Sequence, residues 1–352
     1  MTFRGSSENA GEWLRGSGPN AEVVISSRVR LARNLAGLPF VAKANRRQRY
    51  EVLESCRSQI LAKPLSDNTL FVHLNDATAL DRQLLVERHL ISRQHGAAKN
   101  DVPRGVAVGS EETFAIMVNE EDHLRIQVLR SGMQLSDAFD QINAIDDMLE
   151  EKLDYAYSRR FGYLTACPTN VGTGIRVSVM LHLPALQLTG EIDKVKRAAR
   201  DMHLAVRGMF GEGSDAQGDL YQVSNQTTLG KSEQEILADF EQTVVPQIIN
   251  YELQARQALV RDRGPQLDDK LWRAWGTLTH ARVIGTKEVL SLLSHVRLGV
   301  NLGRIEGVDT RTLNELFLLT QPAHLQRLSE EEMDPGTRRI ARAKLIRQRL
   351  GR

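Results

Sequence analysis

The stretch Cys167-Pro168-Thr169-Asn170-Val171-Gly172-Thr173-Gly174-Ile175-Arg176 decides how the rest of the sequence is interpreted. It joins a thiol, a turn with two glycines and an arginine to the apolar run Ile175 to Leu181, which predicts a buried strand. Glycine permits positive φ and close backbone approach, and consecutive loop N–H groups can form a concavity that binds anions. Such surroundings would favour the thiolate form of the cysteine. The two glycines alone favour a tight turn before a core strand with an ordinary buried cysteine, but the whole string is far more specific than its glycines.

A second segment, from Ser26 to Asn34, places two arginines on the same side of a strand. Because side chains alternate in extended backbone, Arg28 and Arg30 point in one direction. Two guanidiniums on one face repel each other unless an anion lies beside them. The segment is therefore either an anion-binding strand or an exposed edge strand with solvated arginines.

An acidic loop separates two of the next three β runs. These runs, Gly105 to Gly109, Thr113 to Val118 and Leu124 to Leu129, have connections short enough for antiparallel neighbours. The loop reads Asn119-Glu120-Glu121-Asp122-His123-Leu124-Arg125. Its carboxylates could accept the N–H donors of a guanidinium in a bidentate pair. The alternative is a solvated hairpin tip.

Helical spacing is found on both sides of the central stretch. Pro246 should kink or divide the helix that follows the capping box of Ser232 and Glu235. The predicted helices cover residues 44 to 62, 78 to 95, 135 to 158 and Glu191 to His203, and then Leu267 to Val283, Thr286 to Leu298, Thr310 to Thr320 and Arg338 to Leu350.

The composition narrows the class of protein. The 352 residues are 41% hydrophobic and 26% charged, as in soluble globular proteins, and their number predicts two domains. The formal net charge of +2 gives no global preference for nucleic acid. No apolar run approaches the ~20 residues that span a bilayer, and the two distant cysteines, Cys56 and Cys167, form no disulfide framework or zinc motif. We expect a cytoplasmic protein that contacts neither a membrane nor nucleic acid directly.

Together these motifs resemble the phosphagen (guanidino) kinases, which transfer the γ-phosphoryl group of ATP to a guanidinium nitrogen. The resemblance covers residues 21 to 255 and includes Arg207-Gly208-Met209-Phe210-Gly211-Glu212, which is similar to the family's flexible substrate-side loop. It implies an α+β fold in which helices flank an antiparallel sheet, followed here by an all-helical C-terminal domain.

The resemblance also implies roles for individual residues. Glu121 and Glu212 would bind and deprotonate the acceptor guanidinium, and Cys167 as a thiolate would orient it. Arginine suits phosphate because its planar fork binds two oxygen atoms at once, and Mg²⁺ would be held mainly through the phosphates, without a set of protein ligands. The implied ATP-binding residues are Ser27, Arg28, Val29, Arg30, Leu31, His89, Arg125, Arg176, Val177, Ser178, Val179, Met180, Arg207, Gly208, Met209, Phe210, Gly211 and Glu212. At Met180 the animal enzymes carry a histidine instead.

The acceptor is inferred from what surrounds this region. Only about twenty residues precede Ser26, where the animal enzymes carry a helical domain, and a helical region follows the catalytic region instead. This arrangement is similar to that of the bacterial protein arginine kinases of the McsB type. We therefore predict a catalytic domain over residues 1–255 and a helical domain over 256–352 that binds phosphoarginine or protein substrates.

The implied partners are proteins with exposed arginines, among them a transcriptional repressor and protease-targeted proteins in stress response and protein quality control. An activator protein and a second copy in a homodimer complete the expected partners. Two alternatives stay open: a kinase for free arginine or another small guanidine, and a non-catalytic adaptor of a repressor or protease. An active enzyme is favoured by the presence of Glu121, Cys167 and Glu212 together with the five arginines of the implied ATP-binding set, Arg28, Arg30, Arg125, Arg176 and Arg207.

The C-terminal segment Arg338-Arg339-Ile340-Ala341-Arg342-Ala343 resembles a motif by which the protein arginine kinases bind phosphoarginine away from the active site. The implied regulatory pocket consists of Arg338, Arg339, Arg342 and Ala343. Residues four apart on a helix share a face, so Arg338 and Arg342 could hold one phosphate. Arg339 stands where the motif has an aspartate, so the residue that would bind the guanidinium half of the ligand is missing. A basic helix with a solvated face is the alternative.

Overall fold

A computed structural model describes residues 11–97, 102–209, 217–329 and 331–351. The strands within these ranges are β1 Val24–Arg33, β2 Leu70–His73, β3 Gly105–Val108, β4 Phe114–Val118, β5 Leu124–Ser131, β6 Tyr157–Ser158, β7 Gly162–Tyr163, β8 Ile175–His182, β9 Leu204–Gly208 and β10 Leu220–Asn225. Strands β6 and β7 form a small ribbon, and the others form one antiparallel sheet in the order β2-β3-β4-β5-β1-β8-β10-β9. The predicted antiparallel sheet is confirmed.

Helices flank this sheet and make up the C-terminal part of the described chain, as predicted. Their bounds are α1 Arg46–Ala62, α2 Ala79–Glu87, α3 Arg93–Ala97, α4 Leu135–Glu150, α5 Pro184–Thr189, α6 Ile192–Asp201, α7 Glu233–Ala238, α8 Val245–His280, α9 Thr286–Asn301, α10 Thr310–Leu319, α11 Pro322–Arg327 and α12 Pro335–Arg349. No helix in the described ranges is both long and apolar enough to cross a membrane.

Two helices end earlier than their periodicity predicts. Helix α4 ends at Glu150 rather than near residue 158, because the backbone N–H of Ala156 donates to the carbonyl of Asn34 and not to a helical partner. Helix α2 ends at Glu87, because His89 adopts a left-handed φ of 60° that a helix cannot continue. A tertiary contact in the first case and a left-handed backbone conformation in the second override the periodic pattern.

The proline predictions can be compared directly with the helices. Pro246 lies in the first turn of α8, directly after a π-helical turn, Asp239–Val244, that separates α7 from α8. It therefore stands at the predicted division. Helix α8 begins far before the predicted Leu267 and is kinked at Arg263, where φ is −140°, just ahead of Pro265.

The sheet has one apolar face and one polar face. Val29 and Leu31 of β1 and Val177 and Val179 of β8 are buried in the main hydrophobic core, against which α4 packs. The residues between them point the other way, since side chains alternate along a strand. The apolar face thus fixes the strand register, and the register fixes what the polar face presents.

Buried polar contacts join the C-terminal helices to the segment before β1. Arg297 of α9 is fully buried and donates to the carbonyls of Ala21 at 2.6 Å and Glu22 at 3.0 Å, and to Asn314 Oδ1 at 3.0 Å. Glu252 of α8 accepts from the backbone N–H of Ala185 at 3.1 Å, at the start of α5. These contacts tie the helical part to the sheet.

A second junction lies at the end of α2. The Glu87 carboxylate accepts from the backbone N–H groups of Ala323 at 2.9 Å and His324 at 3.2 Å, which belong to the first turn of α11. The next residue, Arg88, donates to Glu112 Oε1 at 2.6 Å. The residue after that is His89, which lies over the polar face of the sheet.

We expect Arg297→Met to lower the free energy of unfolding by about 3 kcal/mol, because two buried carbonyls and Asn314 lose their donor. Urea denaturation measures the change. The matched control is Arg273→Met on the exposed side of α8, where the arginine pairs with Asp269 at the surface and the expected change is within about 0.5 kcal/mol. Equal effects of the two substitutions would contradict the structural role of Arg297.

Candidate active site

Strand register brings the five predicted arginines to one face of the sheet. Arg30 lies opposite Arg176, and Ala32 lies opposite Arg125 on the other neighbouring strand. Gln222 of β10 lies opposite both Met180 and Arg207. Directly opposed residues share a face, so the side chains of Arg28, Arg30, Arg125, Arg176 and Arg207 all project from the polar face.

A cavity of about 510 Å³ opens on this face. It is bordered by all five arginines, by the acidic loop with Glu121, and by the central stretch with Cys167. His89, in the turn between α2 and α3, and Arg93, the first residue of α3, also border it. The structure therefore brings together residues from distant parts of the sequence that the motifs singled out.

The arginines repel each other across this cavity. Burial, together with the charges of Arg125, Arg176 and Arg207, lowers the pKa of Arg28 to about 9. Burial and the charge of Arg28 likewise lower the pKa of Arg30. Among the described residues, Arg28 donates to two neutral groups, Ser178 Oγ at 3.3 Å and Gln222 Oε1 at 2.7 Å.

Arg30 carries a buried donor that is not used. Its Nε is buried and has no hydrogen-bond partner among the described residues. A bound polyanion would lower the repulsion and supply acceptors to such donors. The cluster is therefore suited to a triphosphate.

Glu120 neutralises the cluster at one end. Its carboxylate accepts from Arg125 Nη1 at 2.6 Å and from Ser92 Oγ at 2.6 Å. Burial alone would raise the pKa of Glu120, but Arg125 and the Ser92 hydroxyl lower it to about 2. The sequence motif did not assign a function to Glu120 or Ser92, because the loop offers three consecutive acids and only the fold shows which one pairs with Arg125.

Glu121, the next residue, lies in the opposite electrostatic situation. Its side chain is exposed to the cavity, and partial burial with the neighbouring charges of Asp122 and Glu120 raises its pKa. A carboxylate with a raised pKa accepts a proton more readily. The geometry thus gives two adjacent glutamates different chemical properties.

Asp122 connects the acidic loop to the central stretch. Its Oδ1 accepts from Asn34 Nδ2 at 2.6 Å and from the backbone N–H of Ala166 at 2.6 Å. Ala166 directly precedes Cys167, which is half-buried at the cavity wall with its Sγ 3.0 Å from Thr169 Oγ1. Asp122 therefore holds Cys167 and Glu121 on the same side of the cavity.

The two glycines of the central stretch are required by its backbone. Gly172 has a φ of 115° and Gly174 a φ of 70°, values that side-chain-bearing residues rarely adopt. A Cβ on Gly174 would lie 2.7 Å from the carbonyl oxygen of Ala32 and 2.7 Å from Arg33 Nη1. The turn can approach β1 this closely only with glycine.

Arg33 supports the turn from behind, a role that the sequence did not reveal. Its Nη1 donates to the carbonyl of Thr173 at 2.9 Å, and its Nε and Nη2 donate to Asp146 Oδ2 at 3.0 and 2.7 Å. The guanidinium also lies 3.6 Å from the ring centroid of Tyr163. Asp146 and Tyr163 are far from Arg33 in sequence, so only the fold shows that it is not another phosphate ligand.

Some predicted ATP-binding residues do not project into the cavity. Val29, Val177 and Val179 lie in the apolar core, because they alternate with the arginines and serines of the polar face. Leu31 belongs to the same core but borders the cavity. Ser27 is buried, and its hydroxyl donates to the carbonyl of Gly132 and accepts from the N–H of Gln134.

The remaining predicted positions fall at the edge of the site. Gly208 and Met209 are buried at the end of β9, and Met180 borders a small recess rather than the main cavity. Phe210, Gly211 and Glu212 lie outside the described residues. Within those residues, no group of three or more His, Cys, Asp or Glu side chains is arranged to hold a metal ion.

The implied regulatory residues lie on α12, away from the cavity. Arg342 is buried and donates to the carbonyls of Thr320 at 2.8 Å and Ile284 at 3.1 Å. Arg338 donates to the carbonyl of Met333 at 2.6 Å, Arg339 is exposed, and Ala343 is buried. Burial and the charges of Arg338 and Arg339 lower the pKa of Arg342.

Comparison with known proteins gives the family-level context for this geometry. Residues 51–255 match the family model described as ATP:guanido phosphotransferase, C-terminal catalytic domain. Residues 264–352 match the model described as protein-arginine kinase McsB C-terminal domain.

Curated relatives are similar over nearly the whole chain. The sequence is 46% identical over 343 residues to the protein-arginine kinase of Halothermothrix orenii, with 97% of each chain covered. It is 47% identical over 341 residues to that of Symbiobacterium thermophilum, with 96% of each covered. It is 44% identical over 341 residues to that of Bacillus subtilis, covering 96% of this chain and 93% of the relative.

Solved structures confirm the fold class. The duplicated taurocyamine kinase of Schistosoma mansoni superposes with a TM-score of 0.61 at 24% identity. The superposition covers 72% of this chain and 36% of the taurocyamine kinase chain. A lombricine kinase superposes with a TM-score of 0.58 at 27% identity, covering 68% of this chain and 67% of its own. The sheet and its flanking helices are those of the phosphagen kinases.

We expect Gly174→Ala to weaken ATP binding roughly tenfold, because the strained φ and the blocked approach to Ala32 displace the turn that leads to Arg176. Calorimetric titration measures the dissociation constant. Gly190→Ala is the matched control, since Gly190 also has a positive φ, of 76°, but a Cβ there would meet nothing within 4 Å. An equal loss of affinity in both variants would show that backbone strain alone is responsible.

Proposed function

The chain belongs to the protein-arginine kinase family of the ATP:guanido phosphotransferases, and we propose that it transfers the γ-phosphoryl group of ATP to arginine side chains of proteins. The observation that carries this proposal is the cavity itself, where five guanidiniums from four strands face the thiol of Cys167 and the carboxylate of Glu121. One side of the cavity is suited to a triphosphate and the other to a cationic acceptor.

The arginine cluster is proposed to bind and orient the triphosphate. Phosphoryl transfer depends mostly on positioning and on neutralisation of charge, and rigid guanidinium forks supply both. Mg²⁺ bound with the nucleotide would supply further positive charge beside these arginines. The residues present fit such an arrangement, because the guanidiniums that border the cavity offer donors to phosphate oxygens.

Glu121 is proposed as the base for the acceptor. A guanidinium is protonated at neutral pH and has no free lone pair on its nitrogens. As the nitrogen bonds to the γ-phosphorus and the bond from phosphorus to the bridging oxygen of ADP breaks, the nitrogen's proton passes to the Glu121 carboxylate. The raised pKa of Glu121 supports this role. Cys167, at the cavity wall, and Glu212 would hold the cation in line.

We propose the following finer points on the same premise. ATP and Mg²⁺ are the cofactors, the protein acts in the cytoplasm, and its partners include a transcriptional repressor, protease-targeted proteins of the stress response, an activator and a second copy of the chain. The boundary between residues 255 and 256 is proposed as the limit of the catalytic region, supported by family matches that end at 255 and begin again at 264.

The α12 residues Arg338, Arg339, Arg342 and Ala343 are proposed as a regulatory phosphoarginine pocket. The support is electrostatic: three guanidiniums lie on neighbouring turns, and their mutual repulsion contributes to the lowered pKa of Arg342. A phosphate beside them would reduce that repulsion. Product bound there can bias the enzyme only if two states differ in affinity for it.

The reaction class is tested by incubating the protein with ATP and an arginine-rich protein, followed by mass spectrometry under non-acidic conditions. We expect phosphoarginine from the wild type, and at least an approximately 100-fold lower rate from Glu121→Gln with ATP affinity nearly unchanged. Glu54→Gln on α1, where the carboxylate pairs with Arg57, is the matched control. Full turnover by Glu121→Gln would exclude Glu121 as the base, and phosphorylation of free arginine only would favour a small-guanidine kinase.

The pH dependence supplies an independent check. Because the pKa of Glu121 is raised above its usual 4.5, the group is protonated and the base is lost as the pH falls towards that raised value. The acidic limb of kcat/KM should therefore have its midpoint above 4.5 and should disappear in Glu121→Gln.

For the α12 pocket, we expect phosphoarginine to bind the wild type and to bind an Arg338→Ala/Arg342→Lys variant at least about tenfold more weakly, because the phosphate loses one guanidinium and the fork of a second. Titration calorimetry measures this binding. All proteins carry Glu121→Gln, which reduces binding of phosphoarginine at the catalytic cavity. Lys344→Ala, an exposed change on the same helix, is the control. Equal, negligible binding by all three proteins would remove the regulatory site and leave the kinase proposal standing.

A further inference from the structure

Strand register gives the cavity a direction. Cys167 and Gly174 border its acceptor end, where the N–H of Ala32 donates to the carbonyl of Gly174. Along β1 from there, Arg30 and then Arg28 follow, and Ser26 comes next, opposite Met180. With a rise of about 3.3 Å per residue, Ser26 lies roughly 20 Å from Ala32. The end near Ser26 is therefore the one that the nucleoside half of ATP reaches when its γ-phosphate lies beside Glu121.

A recess is found at this far end. It is bordered by Trp13, Ser26, His89, Leu129 and Met180, and it shares Arg28 with the main cavity. Its volume of about 10 Å³ has room for a single water-sized group. The recess thus fits the edge of a ring that lies in the main cavity, and not a whole ring.

Trp13, which borders the recess, carries an unused donor. The side chain is only 2% exposed, and its Nε1 has no hydrogen-bond partner among the described residues. A buried indole N–H normally has an acceptor. The motifs did not single out Trp13, because it lies in the segment before β1, outside the matched region.

The ring of Trp13 also contacts a predicted nucleotide-binding residue. Its centroid lies 4.8 Å from that of His89, with the planes at 78°. His89 itself is fixed in a left-handed conformation, with its carbonyl accepting from Gln127 Nε2 at 2.7 Å. Burial and the charges of Arg28 and Arg93 lower the pKa of His89 to about 3, so the imidazole is neutral. This end of the cavity is suited to an uncharged aromatic ring.

We propose that Trp13 is a nucleobase-specificity residue, whose indole N–H donates a hydrogen bond to a ring nitrogen of the adenine of bound ATP. The proposal rests on the assignment of ATP as the phosphoryl donor. It separates two parts of one ligand: the arginines bind the triphosphate of any nucleotide, and Trp13 with His89 recognises the base.

The test compares ATP with inorganic tripolyphosphate, which carries the charge but no nucleoside. Trp13→Phe keeps an aromatic ring and removes the donor, so ATP affinity should fall about five- to tenfold, as for loss of one neutral hydrogen bond, while tripolyphosphate affinity stays unchanged. Trp272→Phe, an exposed change on α8, is the control and should affect neither ligand. Equal weakening of both ligands, or of neither, would overturn the proposal.

A second measurement leaves Trp13 in place. The chain has three tryptophans, so the Trp272→Phe/Trp275→Phe variant reports on Trp13 alone. ATP should change its fluorescence and tripolyphosphate should not, whereas unchanged emission at saturating ATP would overturn the contact. Both measurements use binding only. A protein that binds ATP in this way but makes no phosphoarginine would refute the proposed reaction and leave the role of Trp13 intact.

Discussion

Five like charges on one face of a sheet form the constraint on which the site depends. The opposite face, with residues such as Val29 and Val177, packs into the core and fixes the strand register that brings the arginines together. Within the described residues, Glu120 is the carboxylate that pairs with this cluster, while Arg28 has only neutral acceptors. Burial of apolar surface therefore stabilises an arrangement of charges that would otherwise separate. A polyanionic ligand relieves the repulsion between the arginines. The cluster is therefore already arranged to bind such a ligand before any conformational change.

The two adjacent glutamates differ in their chemical properties because their surroundings differ. Glu120 is held by Arg125 and Ser92 and keeps its charge to low pH, whereas the pKa of Glu121 is raised by burial and by neighbouring acids. One carboxylate thus serves as a fixed counterion and the other is suited to accept a proton. The buried contact of Asp122 with Ala166 keeps this pair aligned with the thiol.

Much of the sheet could be predicted from the sequence, because alternation within β1 and β8 is a local property. The cavity residues could be predicted only through the motifs. Local patterns did not predict that Arg33 would support the turn through Asp146, since 113 residues separate the two. Nor could they show that α4 stops at Glu150, which follows from pairing between Ala156 and Asn34. Register between distant strands and the pairing of irregular backbone are tertiary effects, and periodicity carries no information about them.

The carboxylate of Glu87 has a consequence for how the chain can be divided. It caps α11, a helix of the C-terminal part, while His89 two residues later borders the cavity. Removing the C-terminal helices would leave this buried carboxylate without its donors and would take the Arg297 guanidinium away from the backbone before β1. Family models separate the two regions between residues 255 and 264. The two regions match separate models, yet buried contacts join them in the folded chain. The catalytic region is therefore not a fragment that can be cut out and studied alone.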